Sequence, residues 1–525
     1  MKILQIGQVD WAEEVEQFPE DVEWLFSRSE EIPHFLEEQK KLALAKLPAV
    51  EEGEEPPKVR LHFDAVFITD ETKESDLEPL MNLVEAYGLY HLSGLNLKSE
   101  QPYGIFRRKV LRELKVSGTQ EEIIRFLHLT LFSGQYGAKL KLPEIDVNPM
   151  FTGKLTYEGH VSVSFEGDFG EDFEPLFSFR YNLSSFPVAL ELWLEYIKVF
   201  GDNHIRLELT PMRQGSIYDM MDPILLSEKD LEEPYILVPN EEIGFYAVTV
   251  YAQGSGKLSF GPLHWRYSRI GLGRFVLGGE RYHDEKRQEF IYYFNPGDLK
   301  PPMNVYFSGF RPAEGFEGFG IMKSLKAPFM LIGDPRLEGG GFYSGTENLE
   351  TAIKTVIQES LDYLGFSSSD LILSGLSMGT FGALYYASHF NPYGVIVGKP
   401  FTNVGDTAAG MKLKRPDEFE TSADVLLNVT GGVQEEHIEQ LNQKFWDTFS
   451  QSDFPHTNFA IAYMENDDYD GEAAHRLIEH LSDKQAHIYT KGYEGRHNDN
   501  SSAINKWFMK QYVNLLEKGY GRNYS

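Results

Sequence analysis

The pattern of apolar and polar positions changes twice along the chain. Over residues 1–140 it is mixed. "KILQIG" reads as a buried strand and "LHFDAVFITD" as a second, while "LEPLMNLVEAYG" and "EEIIRFLHLTLF" carry apolar residues at helical spacing. The stretch "KLPAVEEGEEPPKVR" between the strands is an acidic, proline-bearing loop. Over residues 141–288, segments such as "GKLTYEGHVSVSFEGDF", "NHIRLELTPMRQG" and "GFYAVTVYAQGSGKLSFGPLHWRYSR" alternate apolar and polar residues between glycine-rich turns. That alternation predicts short antiparallel strands in a β-sandwich. Tyr251, Phe260, Trp265 and Tyr267 fall in it; aromatic faces of this kind suit a sugar-stacking, carbohydrate-binding-like surface, but the preferred reading is that half of them fill the core and the rest are incidental.

Over residues 289–525 the period switches again. "NVYFSGF", "PFMLIGD", "DLILSG", "YGVIVGK", "NFAIAYM" and "AHIYTKG" are short apolar runs of the kind found in a parallel sheet covered on both faces. Helical patterns separate them. Leu349, Ile353, Val356, Ile357, Leu361 and Leu364 recur at helical spacing, with Ser344 and Glu347 as a capping box and Gly365 as the stop. The expected architecture is an α/β-hydrolase-like C-terminal domain (289–525), preceded by a β-sandwich (141–288) and an N-terminal α/β scaffold domain (1–140).

A chain of 525 residues is too long for one core. Its 80 acidic against 49 basic residues give a net charge of -31, which argues against binding a phosphate backbone, so nucleic acid is not an expected partner. Absence of cysteine removes disulfides, thiolate catalysis and Cys-ligated zinc. The start, "MKILQIGQVDWAEEVEQ", lacks a secretory h-region, and the most apolar window, "FPVALELWLEYIKVF", carries two Glu and a Lys. No membrane span is predicted, and a cytoplasmic location is expected. "LQIG" opens like a nucleotide-binding strand but no Gly-x-Gly-x-x-Gly follows it, and no cofactor is expected.

The candidate chemistry centres on "LILSGLSMGTFGALYYA". A nucleophilic serine needs a sharp strand-to-helix turn, with small residues where the strand end crowds the helix. Gly375 and Gly379 flank Ser377 accordingly, and Gly382 and Ala383 continue the small face. Its hydroxyl needs an imidazole base, and the base a carboxylate, in the chain order Ser, acid, His. His497, in the glycine loop after "AHIYTKG", is the expected base; His389, His437, His475 and His480 fall in helical patterns and His487 in a strand. After "NFAIAYM" come Glu465, Asp467, Asp468 and Asp470; the spacing favours Asp467, with Glu465 as the alternative acid. An EF-hand reading of this cluster fails at Leu477, where a bidentate Glu is required, and no metal site is expected. The oxyanion hole is expected from the N–H of Met378 and from Gly309 and Phe310 after "NVYFSGF". Phe342 and Tyr343 in "GGGFYSG" are candidate walls.

These segments together, "MKILQIGQVDW", "SGLSMGTFGALYYASHFNPYGVIVGKPF", "YMENDDYDG" and "EGRHNDN", resemble the second accessory secretory protein family of the accessory Sec system in Gram-positive cocci. The resemblance runs end to end. It implies a glycan O-acetyltransferase that modifies N-acetylglucosamine on a serine-rich-repeat glycoprotein, and a further role in exporting that glycoprotein. It places the family's serine and histidine on Ser377 and His497 and leaves the acid open. The partners it implies are the first and third accessory secretory proteins, the accessory motor ATPase and the glycoprotein substrate, with recruitment to the membrane face at the translocon.

Overall fold

The structure, a computed structural model, describes residues 1–15, 18–46, 59–415, 417–419 and 421–524. Most of the acidic loop, residues 47–58, lies outside the described residues. The chain divides into two compact units, the first formed by Met1–Gly134 with Arg269–Gly278 and Asn295–Leu299, the second by the rest.

The first unit is built on a parallel sheet of order β2-β1-β3-β4-β5, from β1 (Lys2–Ile6), β2 (Glu23–Ser27), β3 (Ala65–Ile68), β4 (Leu89–Leu92) and β5 (Arg112–Leu114). Alternate residues of β1 and β3 enter opposite cores, Leu4, Ile6, Val66 and Ile68 one and Ile3, Ala65 and Phe67 the other. Helices α1 (Ile32–Ala45) and α2 (Gln120–Thr130) flank it in sequence, α2 starting on a capping box of Thr119 and Glu122. Strand β2, over the apolar run "EWLFS", is not among the expected strands. "LEPLMNLVEAYG" forms only a single 3-10 turn, Glu78–Leu80, because Pro79 fits a first turn and cannot donate to a longer helix.

The second unit holds two sheets. One is antiparallel, with β6 (Gly137–Leu140), β7 (Ile145–Val147), β8 (Lys154–Glu158), β9 (Ser162–Phe179), β10 (Leu183–Ser184), β11 (Leu190–Arg213), β12 (Ile224–Ser227), β13 (Tyr235–Leu237) and β14 (Ile243–Tyr267). Strands β9, β11 and β14 run to 18, 24 and 25 residues rather than being short. Glycines that read as turns are instead paired across them: Gly201 faces Gly256, and Gly256 faces Gly167. A Cβ on Gly201 would overlap the Ser255 carbonyl and one on Gly256 the Phe200 carbonyl, so these positions let the backbones approach and bend together. A second irregularity lies between the pairs Leu194–Leu263 and Tyr196–Phe260, leaving Glu195 opposite Gly261 and Pro262. It shifts the inward face so that Leu192, Leu194, Phe260 and Leu263 all stay in one core.

The other sheet has the order β15-β16-β18-β17-β19-β20-β21-β22. Its strands are β15 (Gly279–His283), β16 (Glu289–Asn295), β17 (Met303–Phe307), β18 (Phe329–Gly333), β19 (Leu371–Leu376), β20 (Gly394–Gly398), β21 (Asn458–Met464) and β22 (His487–Tyr493). After an antiparallel hairpin, the six strands β17 to β22 are parallel, and β17 and β18 exchange places in the order. This is an α/β-hydrolase-like sheet. Helices α3 (Glu347–Leu364), α4 (Met378–Phe390), α5 (Val404–Lys414), α6 (Ser422–Thr430), α7 (Glu435–Phe449), α8 (Ala473–Ser482) and α9 (Ser501–Tyr520) connect or follow its strands. α3 ends on Gly365 at φ 74°, but its N-cap is Thr346, whose hydroxyl accepts from the Leu349 N–H; the Ser344 hydroxyl donates to Glu350 instead.

Candidate active site

The parallel strands all end on one side, so the loops beyond β17, β19, β21 and β22 converge there. Ser377 stands between β19 and α4 at φ 51° and ψ -124°, a conformation an L-residue rarely adopts. The glycines make the turn possible. A Cβ on Gly375 would overlap the Gly379 backbone, and one on Gly379 the Phe307 carbonyl. Helix α4 can therefore start hard against β17, with the serine hydroxyl lifted above the strand ends.

His497 lies in the loop between β22 and α9, and its Nε2 is 2.8 Å from Ser377 Oγ. Its Nδ1 is 2.9 Å and 3.1 Å from the two oxygens of Asp467, three residues beyond β21. An ionised carboxylate only accepts, so Nδ1–H donates to Asp467 and Nε2 accepts from the serine hydroxyl. Histidine and aspartate are both buried. The imidazole lies flat against Tyr469, centroids 4.2 Å apart and planes within 4°, with Phe401 tilted on it at 5.2 Å. The His497 N–H donates to Asp468 at 3.1 Å. Lys399, pushed below its ordinary pKa by burial against the opposing pull of Asp467 and Asp499, donates to the Asp499 carbonyl and the Ser501 hydroxyl, both at 3.0 Å, and ties down the rest of that loop. This arrangement lets a neutral imidazole take the serine proton while Asp467 fixes the tautomer and stabilises the imidazolium.

The alternative acid and one expected oxyanion donor are not brought to the site. Glu465 is exposed and no hydrogen bond joins it to His497, because its N–H still donates to the Tyr493 carbonyl at 2.8 Å and its carboxylate lies beside Gly492 of β22. The Gly309 N–H is already occupied, donating to Glu317 Oε2 at 2.7 Å, and so is not offered to an oxyanion. Phe310 does reach the site, and Met378 heads α4, where its N–H has no carbonyl one turn back within the helix.

Ser377 opens into a cleft of about 280 Å³ whose walls include Phe310, Phe342, Phe401, Phe419 and Tyr469. Tyr343 is not a wall; it is buried, its hydroxyl donating to the Ser308 carbonyl at 2.6 Å. The polar end of the cleft is Glu418 and Asn498. Glu418 accepts from the Tyr469 hydroxyl at 3.0 Å and from the Asn498 amide, and Tyr469 is pushed up to about 12 by burial and by that carboxylate. Tyr469 and Asn498 adjoin the expected triad residues in sequence and could have been flagged; Phe401, Glu418 and Phe419 carry no such signal. In the antiparallel sheet, Phe260 is buried between Phe165 and Phe177, Trp265 and Tyr267 pack on Tyr136 and Phe186, and Tyr251 is half-buried.

The profile described as the accessory Sec system GspB-transporter matches residues 1–522. The chain belongs to that family. It is 38% identical over 523 residues to the second accessory Sec system protein of Streptococcus gordonii, covering 99% of both chains. It is 41% identical over 462 residues to the protein of the same name from Staphylococcus aureus, covering 88% of each. A solved structure, the Glycosylation Associate Protein (Gap123) complex from Streptococcus agalactiae, contains a chain 40% identical that superposes with a TM-score of 0.91, covering 100% of this chain and 99% of that one. In this accessory Sec family member, no helix among the described residues is long and apolar enough to cross a membrane.

Proposed function

We propose that the chain is a serine-dependent O-acetyltransferase with Ser377 as nucleophile, His497 as general base and acid, and Asp467 as the carboxylate behind it. The observation that supports this most directly is the unbroken run of contacts from Ser377 Oγ through both imidazole nitrogens to Asp467. Ser377 attacks the carbonyl of an acetyl donor as His497 takes its proton. The tetrahedral oxyanion is met by the Met378 and Phe310 N–H groups. Collapse expels the donor's leaving group, protonated by His497, and leaves acetyl-Ser377. An acceptor hydroxyl then gives its proton to His497 and attacks the ester, and the proton returns to the serine.

The acceptor in this reading is N-acetylglucosamine on a serine-rich-repeat glycoprotein, and the aromatic cleft suits it. Its rings can cover the apolar face of a pyranose and keep water from the ester, favouring transfer over hydrolysis. The family's transporter description and the relative found in a complex support a second role, in which the chain works with the first and third accessory secretory proteins at the cytoplasmic face of the translocon and acts on the glycoprotein delivered to the accessory motor ATPase.

A serine-directed fluorophosphonate is expected to label the wild-type protein and not Ser377→Ala. An activated acetyl ester with N-acetylglucosamine is expected to give acetylated sugar. Absence of labelling would leave an adaptor without catalysis, and mainly free acetate would make the protein an esterase.

A further inference from the structure

Beside the cleft lies a second cavity, of about 230 Å³, that the proposed chemistry does not use. Its walls come from Lys139 and Lys141 around the end of β6, Val161 at the head of β9, the Glu195 and Pro262 irregularity, and the loop beyond β18. No residue lines both hollows, but the same two chain segments do. Leu337 and Glu338 line the second and Phe342 the first. Between them a Cβ on Gly339 would overlap the Phe310 ring, and one on Gly340 would come within 2.6 Å of the Met378 side chain. Four residues of chain reach at most about 14 Å when extended, and Phe419 and Thr421, one on each hollow, are closer still in sequence.

The charges of this cavity are matched. Lys141 pairs with Glu338 at 2.9 Å, Lys139 lies 3.7 Å from Glu314, and the buried Arg336 is held by Asp334 at 2.6 Å. A phosphate or carboxylate would have to break these pairs, so the cavity is not built for an anion. Yet Glu195 and Glu338 each bond through one oxygen, to His264 and Lys141, and their second oxygens have no hydrogen-bond partner among the described residues. His160 likewise commits Nδ1 to Asp424. Spare carboxylate oxygens on Glu195 and Glu338 and the ammonium protons of Lys141 that Glu338 does not use, together with the apolar Leu142, Pro143 and Leu337, match a ligand that carries many hydroxyls and no charge.

We propose that this cavity holds an uncharged sugar ring, the unit adjacent to the one presented to Ser377 in an oligosaccharide acceptor. The inference rests on the sugar-acceptor reading above. Its test is calorimetric, on Ser377→Ala protein titrated with N-acetylglucosamine and with N,N′-diacetylchitobiose. The disaccharide is expected to bind at least about tenfold more tightly. Val161→Trp, which fills the cavity, and Lys141→Ala, which removes one half of a solvent-facing pair, are each expected to bring the two sugars within about twofold. Equal affinities, no binding of either sugar, or a preference that survives both substitutions would overturn the proposal. The acetyl-enzyme is read separately, by the burst from p-nitrophenyl acetate on wild-type protein; its absence would remove the chemistry and leave a disaccharide preference standing.

Discussion

A serine held at φ 51° carries strain that a glycine there would not. Ser377→Ala and Ser377→Gly both delete the hydroxyl, so the difference between them isolates the backbone term. The glycine variant is expected to be the more stable by about 1–2 kcal/mol in denaturant unfolding, with neither labelled by a fluorophosphonate. Equal stabilities would mean that the turn is not strained. Tyr469 can be divided in the same way. Tyr469→Phe keeps the ring on the imidazole and loses only the hydroxyl's bonds to Glu418 and Asn498, whereas Tyr469→Ala removes a wall of the His497 slot. Turnover of an acetyl ester should change little in the first and fall about tenfold or more in the second. The placement of the three proposed triad residues was legible because each sits at a fixed offset from a strand that the apolar pattern reveals. Gly309 was misread because the Glu317 carboxylate folds back onto its N–H across a loop with no periodicity, a contact that composition and spacing do not encode.

At the scale of elements, the antiparallel sheet was recognised but its strands were cut at glycines that mark bends rather than turns. Near the end of β14 the same sheet buries a charged cluster that alternation alone could not expose. His264 is fully buried, with Nδ1 2.6 Å from Glu314 and Nε2 2.9 Å from Glu195, and Arg266 reaches both Glu314 and Glu289. Burial alone would lower the His264 pKa, but the carboxylates of Glu314 and Glu195 outweigh it, partly offset by Arg266, and hold the imidazole above its ordinary value. A group raised in this way stabilises the fold fully below its unfolded pKa of about 6.5 and loses that contribution as pH rises through the folded value. The unfolding midpoint is therefore expected to decline on the alkaline side of about pH 6.5, and His264→Gln to flatten that decline. A wild-type profile that stays flat, or a variant that retains the slope, would show that the imidazole is neutral in the fold. Glu314→Gln tests the cluster from the acidic side, since it leaves Arg266 and His264 short of a buried countercharge; a loss of about 3–5 kcal/mol is expected.

The charge of the whole molecule sets a different condition on stability. With 80 acidic and 49 basic residues, every folded state of this chain works against its own field, because compaction brings like charges together. The reach of that field shrinks from about 30 Å at 0.01 M salt to about 8 Å at 0.15 M. Salt also screens favourable exposed pairs such as Arg180–Asp146 and Arg213–Asp219, but each of those contributes little. Repulsion should therefore dominate, and the unfolding midpoint at pH 7.5 is expected to rise as sodium chloride is added over that range. The sequence pI near 4.9 supplies the control. Close to that pH the net charge approaches zero, while Glu289 and Glu314, held below the ordinary carboxylate range against their burial by Arg266 and His264, keep the buried cluster ionised. The salt effect should then nearly vanish without the fold being lost. A midpoint that falls with salt at pH 7.5 would mean that local ion pairs, and not the summed charge, govern the stability of this protein.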